Sequence, residues 1–381
     1  MNNIEIRLSR LRGSGPAGTH NARTIAALST NPGCHRRSVL DAAGINKQQL
    51  AGRVGYPAPF GQSPFAITRG NAFEAQVKAN GCAELLRLMR EEFGLTIPEV
   101  AYADLGKLNK DQTRSIDTNE ARYLRTRQML ARAARAGDDA GTLFDHPLLR
   151  LDVAGQWAYL EPDLIILFRV QRRFYVVEIK SFAVIDGQAP AANVTPAVTQ
   201  AGVYVLAMQQ LLDDLGLDRS SVCEEVLLVC PKDFTNRPTG ARVDVRQKLT
   251  VLRRQLQRLR RLETTLATLP QDLTLDLWPD NTGRSTRPAG ELEAALDQIE
   301  AHYQPGCLTS CEMAYFCRAK ASGRTASLGL GVQEDLGGVE SVAAVIGLST
   351  GAVMAADDQV EAARLLQLAD RLRRDFLGGA A

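Results

Sequence analysis

A β-like segment between Leu148 and Lys180 constrains the fold of this chain more than any other feature. It reads LLRLDVAG, then WAYLEPDLIILFRV, then RRFYVVEIK, and most of these residues are β-branched, aromatic or otherwise apolar. Such runs are typical of strands. The short stretch VQRR between the last two runs is typical of a hairpin turn. The segment therefore predicts three consecutive strands.

Helical patterns lie on both sides of this segment. Apolar residues recur at helical spacing in residues 71–93, and Gly94 predicts the end of that helix. Residues 118–136 and 195–215 predict further helices, and EVLLVC predicts another strand. The order of helix, three strands, helix and strand predicts an α/β fold in which a mixed central sheet has helices on both sides. Near the start of the chain, residues 4–8 predict a short strand.

The composition identifies no binding partner. The chain has 381 residues, with 45 Lys and Arg against 43 Asp and Glu, so any nucleic-acid site must come from local clustering of charge. No apolar run approaches membrane-spanning length, and the first twenty residues lack the core of a signal peptide. We therefore expect a cytoplasmic protein without a membrane partner. In that compartment the seven cysteines are not expected to form a disulfide framework.

An acid and a base share one face of the last predicted strand. Glu178 and Lys180 point the same way because residues i and i+2 of a strand share a face. If the last two strands form a hairpin, Asp163 lies beside Glu178. Charges brought together in a buried place are costly unless they are compensated, and Mg²⁺ and Mn²⁺ prefer carboxylate ligands. The pattern thus predicts a divalent-metal site, and a surface salt bridge on an edge strand is the alternative.

The motif Pro162-Asp163 followed by Glu178-Ile179-Lys180 resembles that of the PD-(D/E)xK nuclease superfamily. The resemblance implies a restriction-endonuclease-like core and hydrolysis of DNA phosphodiester bonds. It also implies that Asp163, Glu178 and the carbonyl of Ile179 bind Mg²⁺ or Mn²⁺. Lys180 would orient the attacking water or stabilise charge on the phosphate.

Two further segments resemble motifs of the RecB-like branch of that superfamily. VTQAGVYVLAM places Gln200 and Tyr204 four residues apart on one helix face, where both can hydrogen-bond a phosphate or a catalytic carboxylate. TRGNAFEAQV places Gly70 and Glu74 in a G-x-x-x-(H/E) pattern, which implies that Glu74 is a further metal or water ligand. Many relatives have histidine at that position. Without the family resemblance, the alternative is that Tyr204 is a core aromatic residue and Glu74 is a solvated helix residue.

Three cysteines lie close together near the end of the chain, namely Cys307, Cys311 and Cys317. Three thiolates can bind one soft metal site but lack a fourth ligand, and the strongest candidate for it is Cys34. One cysteine before the nuclease core and three after it resemble the layout of RecB-like nucleases with an iron–sulfur cluster. These include the CRISPR-associated RecB-like exonucleases and the nuclease domain of the AddB subunit. The resemblance implies a [4Fe–4S] cluster bound by the four cysteines.

The cysteine spacing departs from that of these relatives. Here the three cysteines follow C-x3-C-x5-C, whereas the relatives usually have C-x2-C-x5-C. Zinc, with His302 or His35 in the ligand set, is therefore an alternative to the cluster. In either case the expected role is structural, since the metal would tie the region near residue 34 to the region near residue 311.

A basic helix is expected over residues 244–268. Residues 246–261 contain seven Lys and Arg and no acid, and leucines recur there at helical spacing. One side of the helix would pack and the other would be positive, which suits contacts with DNA phosphates; a solvated face is the alternative. No P-loop motif is present in the sequence, so ATP-driven unwinding would need a partner such as a helicase.

These expectations divide the chain into four consecutive regions. They are an N-terminal segment with the first cluster cysteine (1–70), a nuclease core (71–240), a region with the basic helix and the cluster (241–320) and a helical extension (321–381). The predicted function is a metal-dependent deoxyribonuclease, stabilised by an iron–sulfur cluster, in DNA repair, recombination or defence against foreign DNA. The alternative is a non-catalytic DNA-binding or scaffold subunit of a larger DNA-processing complex.

Overall fold

The computed structural model of the chain describes residues 3–58, 64–95, 100–106, 119–136, 141–168, 170–233, 235–260, 262–278 and 287–378. The helices are, in chain order, α1 (Asn3–Arg12), α2 (Ala22–Leu28), α3 (His35–Ala42), α4 (Lys47–Arg53), α5 (Pro64–Val77), α6 (Ala79–Phe93), α7 (Asn119–Arg135), α8 (Ala191–Asp214), α9 (Arg246–Arg260), α10 (Glu263–Ala267), α11 (Ala289–Asp297), α12 (Cys307–Ser310), α13 (Ala314–Lys320), α14 (Leu330–Asp335), α15 (Val342–Thr350) and α16 (Val360–Gly378). The strands are β1 (Val100–Asp104), β2 (Gly141–Asp145), β3 (Leu149–Val153), β4 (Gln156–Leu160), β5 (Leu164–Phe168), β6 (Arg173–Ile179), β7 (Glu225–Pro231) and β8 (Pro238–Asp244).

The chain forms two compact units, each assembled from separate stretches of sequence. The first, called here the helical unit, comprises residues 1–17, 30–60 and 263–381. The second, called the sheet unit, comprises residues 18–29 and 61–262. The predicted division into four consecutive regions did not anticipate that both units are discontinuous in sequence.

The sheet unit is built on a mixed sheet of six strands, in the order β1-β2-β5-β6-β7-β8 across the described residues. β5 runs antiparallel to both β2 and β6, whereas β1 is parallel to β2 and β6 is parallel to β7. Parallel neighbours require a crossover connection, and α8 supplies it by linking β6 to β7 and packing against β6. The predicted class, an α/β fold with a mixed central sheet flanked by helices, is confirmed.

The strands differ in part from the prediction. The hairpin of β5 and β6 is present as expected. β3 and β4, however, pair with each other in a separate two-stranded sheet. The third antiparallel strand of the main sheet is instead β2, which the sequence prediction missed because all five of its residues are buried and so show no alternation.

The predicted strand over residues 4–8 is wrong, because these residues lie in α1. Apolar residues alternate at Ile4, Ile6 and Leu8, which imitates a strand. In the structure Ile6 is 43% exposed, whereas Leu8 and Leu11 are buried. The buried positions therefore follow the three-residue spacing of a helix face.

The helical predictions are largely confirmed, with two breaks. The helix expected over residues 71–93 is divided into α5 and α6, and Asn80, Gly81 and Cys82 have left-handed backbone conformations at the kink. Gly94 ends α6 in a left-handed conformation, as predicted. The basic segment forms α9 and the short α10 in place of one helix. Nowhere in the described ranges is a helix long and apolar enough to cross a bilayer.

A hydrophobic core lies between α5, α6 and one face of the sheet. Alternate residues of β5 and β6 point into this core, and they pack with apolar side chains of the two helices. Its members include Phe73, Val77, Leu85, Met89, Leu164, Ile166, Phe168, Tyr175, Val177 and Ile179. Because strand residues alternate between faces, Glu178 and Lys180 face the side of the sheet away from this core.

Truncating a core side chain of β5 should destabilise the sheet unit strongly. Ile166 is fully buried, so Ile166→Ala should lower the free energy of unfolding by about 2–5 kcal/mol. The matched control is Ile185→Ala, at a side chain that is 42% exposed, and this should change it by less than about 0.5 kcal/mol. Urea unfolding followed by circular dichroism measures both. Equal effects would contradict the assignment of this core.

Candidate functional site

The pairing of β5 with β6 places Asp163 beside Glu178. Leu164 is paired with Val177 in antiparallel register, so the next pair along the ladder is formed by residues 163 and 178. The backbone N–H of Ile179 donates a hydrogen bond of 2.7 Å to Oδ2 of Asp163. This bond fixes the Asp163 carboxylate against the end of β6, where the sequence predicted it.

Glu178 is a buried acid whose carboxylate lacks a full set of hydrogen-bond partners among the described residues. Its side chain is 1% exposed, and neither carboxylate oxygen accepts a hydrogen bond of normal geometry. The Lys180 ammonium forms an ion pair with Oε1 of Glu178, and this contact acts against the effect of burial on the pKa of Glu178. Burial, and then the neighbouring Asp163 carboxylate, raise the pKa of Glu178 to about 8.

Asp163 and Lys180 complete the charged group around Glu178. Burial also raises the pKa of Asp163, although the Lys180 charge acts in the opposite direction. Burial disfavours the charged form of Lys180, but the two carboxylates outweigh that effect and raise its pKa. Two buried acids with raised pKa values therefore lie beside one ammonium. The oxygen donors present here suit Mg²⁺ or Mn²⁺.

Gln200 and Tyr204 lie at the same site, on α8. Gln200 donates a hydrogen bond of 2.9 Å from Nε2 to the Tyr204 hydroxyl. Burial, and then the charge of Glu178, raise the pKa of Tyr204 well above its usual range. Tyr204 is thus a neutral hydroxyl next to the carboxylates, and the structure brings both predicted α8 residues to Asp163, Glu178 and Lys180.

Glu74 belongs to a neighbouring group of charges. Its Oε1 pairs with the Lys78 ammonium and lies 3.2 Å from Nε2 of His146. Asp145 pairs with the same ammonium, and its Oδ1 lies 2.8 Å from Nδ1 of His146. Hydrogen bonds to Asp145 and then Glu74 raise the pKa of His146 to about 10.

This arrangement differs from the predicted metal set of Glu74, Asp163 and Glu178. Glu74 acts electrostatically on both other acids, but its own carboxylate is bound by Lys78 and His146. Burial alone would raise the pKa of Glu74, and the hydrogen bonds from these two cations lower it instead.

Sequence reasoning missed Lys78, Asp145 and His146. Lys78 follows Glu74 by four residues, and this spacing on a helix was an available signal for the ion pair. Asp145 and His146 end the strand that was missed, so nothing local indicated their role. Gly70 lies one turn before Glu74 on α5, and a Cβ there would meet only the Ser181 hydroxyl, at 3.9 Å. Close packing therefore does not require glycine at this position.

The four predicted cluster cysteines all lie in the helical unit as buried free thiols. Burial raises the pKa of Cys317, Arg36 opposes this shift, and the Cys34 and Cys307 thiols add to it, which places the three sulfurs in one region. Cys311 donates its backbone N–H to the carbonyl of Cys307 at 2.9 Å, so it belongs to the same turn. The structure thus brings the distant Cys34 near Cys317.

Two buried side chains donate hydrogen bonds to cysteine sulfurs. Arg36 Nη1 lies 3.4 Å from Sγ of Cys317, and Asn31 Nδ2 lies 3.2 Å from Sγ of Cys307. The remaining guanidinium nitrogens of Arg36 donate to the carbonyls of Ile299 and Leu296, at 3.1 and 2.8 Å. Arg36 is thus held rigidly against the sulfurs.

The alternative zinc ligands are placed less favourably. His35 is about half exposed and pairs with Glu300 at 3.3 Å, and His302 is exposed. A tetrahedral zinc site with Zn–S bonds of about 2.3 Å holds its sulfurs about 3.8 Å apart. Within the described ranges, no three cysteines have sulfurs that all lie within 4.8 Å of one another.

Comparisons with known proteins add little to this description. No family model and no curated protein matches the chain. Among solved structures, the crystal structure of SSO0001 is similar at 14% identity, over 70% of this chain and 86% of that chain, with a TM-score of 0.27. A likeness at that TM-score says nothing about the fold or function of this chain.

Glu178→Gln should stabilise the metal-free protein at alkaline pH. A carboxyl whose pKa is raised by folding favours the folded state less as the pH rises from its ordinary range to about 8. In EDTA, the variant should therefore be about as stable as wild type at pH 5 and more stable by about 1–3 kcal/mol at pH 9.

Urea unfolding at the two pH values measures this difference. The control is Glu84→Gln, at a side chain that is 51% exposed, and it should show no such pH dependence. A Glu178 variant that is less stable than wild type at pH 9 would contradict the assigned burial.

Proposed function

We propose that the sheet unit is a divalent-metal-dependent deoxyribonuclease of the PD-(D/E)xK type. The observation that carries this proposal is the meeting of Asp163 and Glu178 at one point. Asp163 accepts the Ile179 N–H at 2.7 Å, and Glu178 is buried without a normal hydrogen bond. A site that only stabilised the fold would not leave a buried carboxylate in this state.

The order of secondary structure supports a restriction-endonuclease-like core. α5 and α6 precede an antiparallel set of β2, β5 and β6, and α8 then crosses over to the parallel strand β7. The expected order was helix, three strands, helix and strand; here β1 and α7 stand between α6 and β2, and β2 takes the place of the first expected strand. The hairpin of β3 and β4 is an insertion between the first two of these strands.

The residues of the site suit phosphodiester hydrolysis. Asp163, Glu178 and the Ile179 carbonyl would hold Mg²⁺ or Mn²⁺, which lowers the pKa of a water and offsets charge on the phosphate. The ammonium of Lys180 lies at the edge of the carboxylate pair and can donate to a phosphate oxygen or hold the nucleophilic water. The Tyr204 hydroxyl, oriented by Gln200, can donate to a carboxylate or to the substrate.

For the helical unit we propose a [4Fe–4S] cluster bound by Cys34, Cys307, Cys311 and Cys317. Four buried thiols from distant parts of the sequence supply the donor set, and the hydrogen bonds of Arg36 and Asn31 to sulfur suit thiolates bound to iron. The cluster would join α3 to the α12–α13 region, and its binding energy would contribute to folding.

DNA is the proposed partner, because hydrolysis of its phosphodiester bonds is the proposed reaction. On α9, Leu249 and Leu252 are buried, whereas Arg254 and Arg258 are exposed. An exposed basic side of this kind suits DNA phosphates. DNA repair, recombination or defence against foreign DNA is the setting that the family resemblance suggests.

Replacing Lys180 should slow cleavage strongly without abolishing metal binding. With Mn²⁺, the wild type should degrade DNA, and Lys180→Met should cleave about 100-fold more slowly because one charged donor at the phosphate is lost. The control is Lys320→Met, which removes a lysine that forms surface ion pairs in the helical unit and should leave the rate unchanged.

The assay uses end-labelled linear DNA and circular DNA, so that its products also separate exonuclease from endonuclease action. Equal rates for the wild type and Lys180→Met would contradict the proposal. So would the absence of cleavage by a folded, metal-loaded wild type, which would favour a non-catalytic DNA-binding subunit.

Protein purified without oxygen should contain about four iron and four sulfide per chain. Arg36→Met should lower the reduction potential of the cluster and hasten its loss in air, because a hydrogen bond to the Cys317 sulfur is removed. Visible absorbance and redox titration measure both effects, and the exposed Arg318→Met is the control. Zinc without iron or sulfide would contradict the cluster.

A further inference from the structure

Lys78 occupies the centre of the acidic group next to the proposed active site. Its ammonium pairs with Oε1 of Glu74 and with Oδ1 of Asp145, and it lies 3.5 Å from Nδ1 of His146. The ligand atoms of Glu74, Asp145 and His146 all lie within 4.8 Å of one another. Three such ligands could hold a metal ion, and the lysine nitrogen stands among them.

Positive groups already stand within this acidic group without a metal ion. The Lys78 ammonium lies between the Glu74 and Asp145 carboxylates, and His146 directs one ring nitrogen at each of them. A divalent cation entering here would meet the Lys78 ammonium among the ligand atoms. At Asp163 and Glu178, by contrast, the Lys180 ammonium lies at the edge of the pair, on Oε1 of Glu178.

Lys78 also contacts the backbone of a proposed metal ligand. Its ammonium donates to the carbonyl of Asp163 at 3.2 Å, and the backbone N–H of His146 donates to the same carbonyl at 3.3 Å. With the side chain of Asp163 bound to the Ile179 N–H, this residue is held at both its backbone and its carboxylate. Lys78 therefore connects the group of Glu74, Asp145 and His146 to the proposed metal site.

Resting on the proposed nuclease function, we propose that Lys78 is a built-in cation that fills the place of a second divalent ion. Two-metal active sites hold their ions about 3.5–4 Å apart between shared carboxylates. Here an acidic group adjoins Asp163, and the amine neutralises it. The site thus binds one Mg²⁺ or Mn²⁺, and Lys78 is a positioning residue that sets this number.

Counting bound Mn²⁺ tests the proposal. The intact protein, purified without oxygen and treated with EDTA, is titrated with Mn²⁺, and the free ion is measured by electron paramagnetic resonance. We expect one Mn²⁺ per wild-type chain. Lys78→Met should bind two, because it opens the group of Glu74, Asp145 and His146. Lys78→Arg keeps the charge and should bind one, as should the control Lys320→Met.

Any other number of bound Mn²⁺ ions contradicts one of the two proposals. Two ions in the wild type, or one ion in Lys78→Met, would overturn the role of Lys78 and leave the nuclease proposal standing. No ion in a folded wild type would contradict the nuclease proposal and with it this inference. If thermal unfolding shows that Lys78→Met does not fold, Lys78→Gln replaces it, and the wild-type count remains decisive.

Discussion

The account of the sheet unit depends on one contact, the meeting of two carboxylates where β5 begins and β6 ends. Burying Glu178 in this place is unfavourable, and the hydrogen bond from Ile179 to Asp163 holds the second acid close to it. The opposite face of the same strands supplies the stabilisation, because Ile166 and Val177 are fully buried there. One face of the hairpin thus stabilises the fold, and the other carries an unfavourable arrangement that suits a metal.

The distribution of positive charge decides where a cation can bind. Lys78 and His146 pair directly with the carboxylates of Glu74 and Asp145, whereas Lys180 pairs with one oxygen of Glu178. The two groups are joined through the carbonyl of Asp163, which accepts from Lys78. Under the proposed function, this difference would favour a divalent ion at Asp163 and Glu178, since the energy of a buried charge depends on its partners.

The residue spacing along single strands and helices was enough to predict which site residues share a face. The two-residue repeat of β6 placed Glu178 and Lys180 on one face, and the four-residue spacing placed Gln200 and Tyr204 on another. The sequence prediction missed residues whose positions depend on contacts between distant parts of the chain. β2 carries no alternation because both of its faces are buried, so Asp145 and His146 were missed with it. The contacts of Lys78 and of Arg36 join elements that are distant in sequence, and no local pattern encodes them.

The most direct test of this account is a crystal structure determined after soaking with Mn²⁺, with the ion located by anomalous scattering. The account predicts a peak bound by the carboxylates of Asp163 and Glu178, within about 2.0–2.4 Å of their oxygens. A peak among Glu74, Asp145 and His146 instead, or carboxylates at 163 and 178 that lie apart with no ion between them, would contradict it.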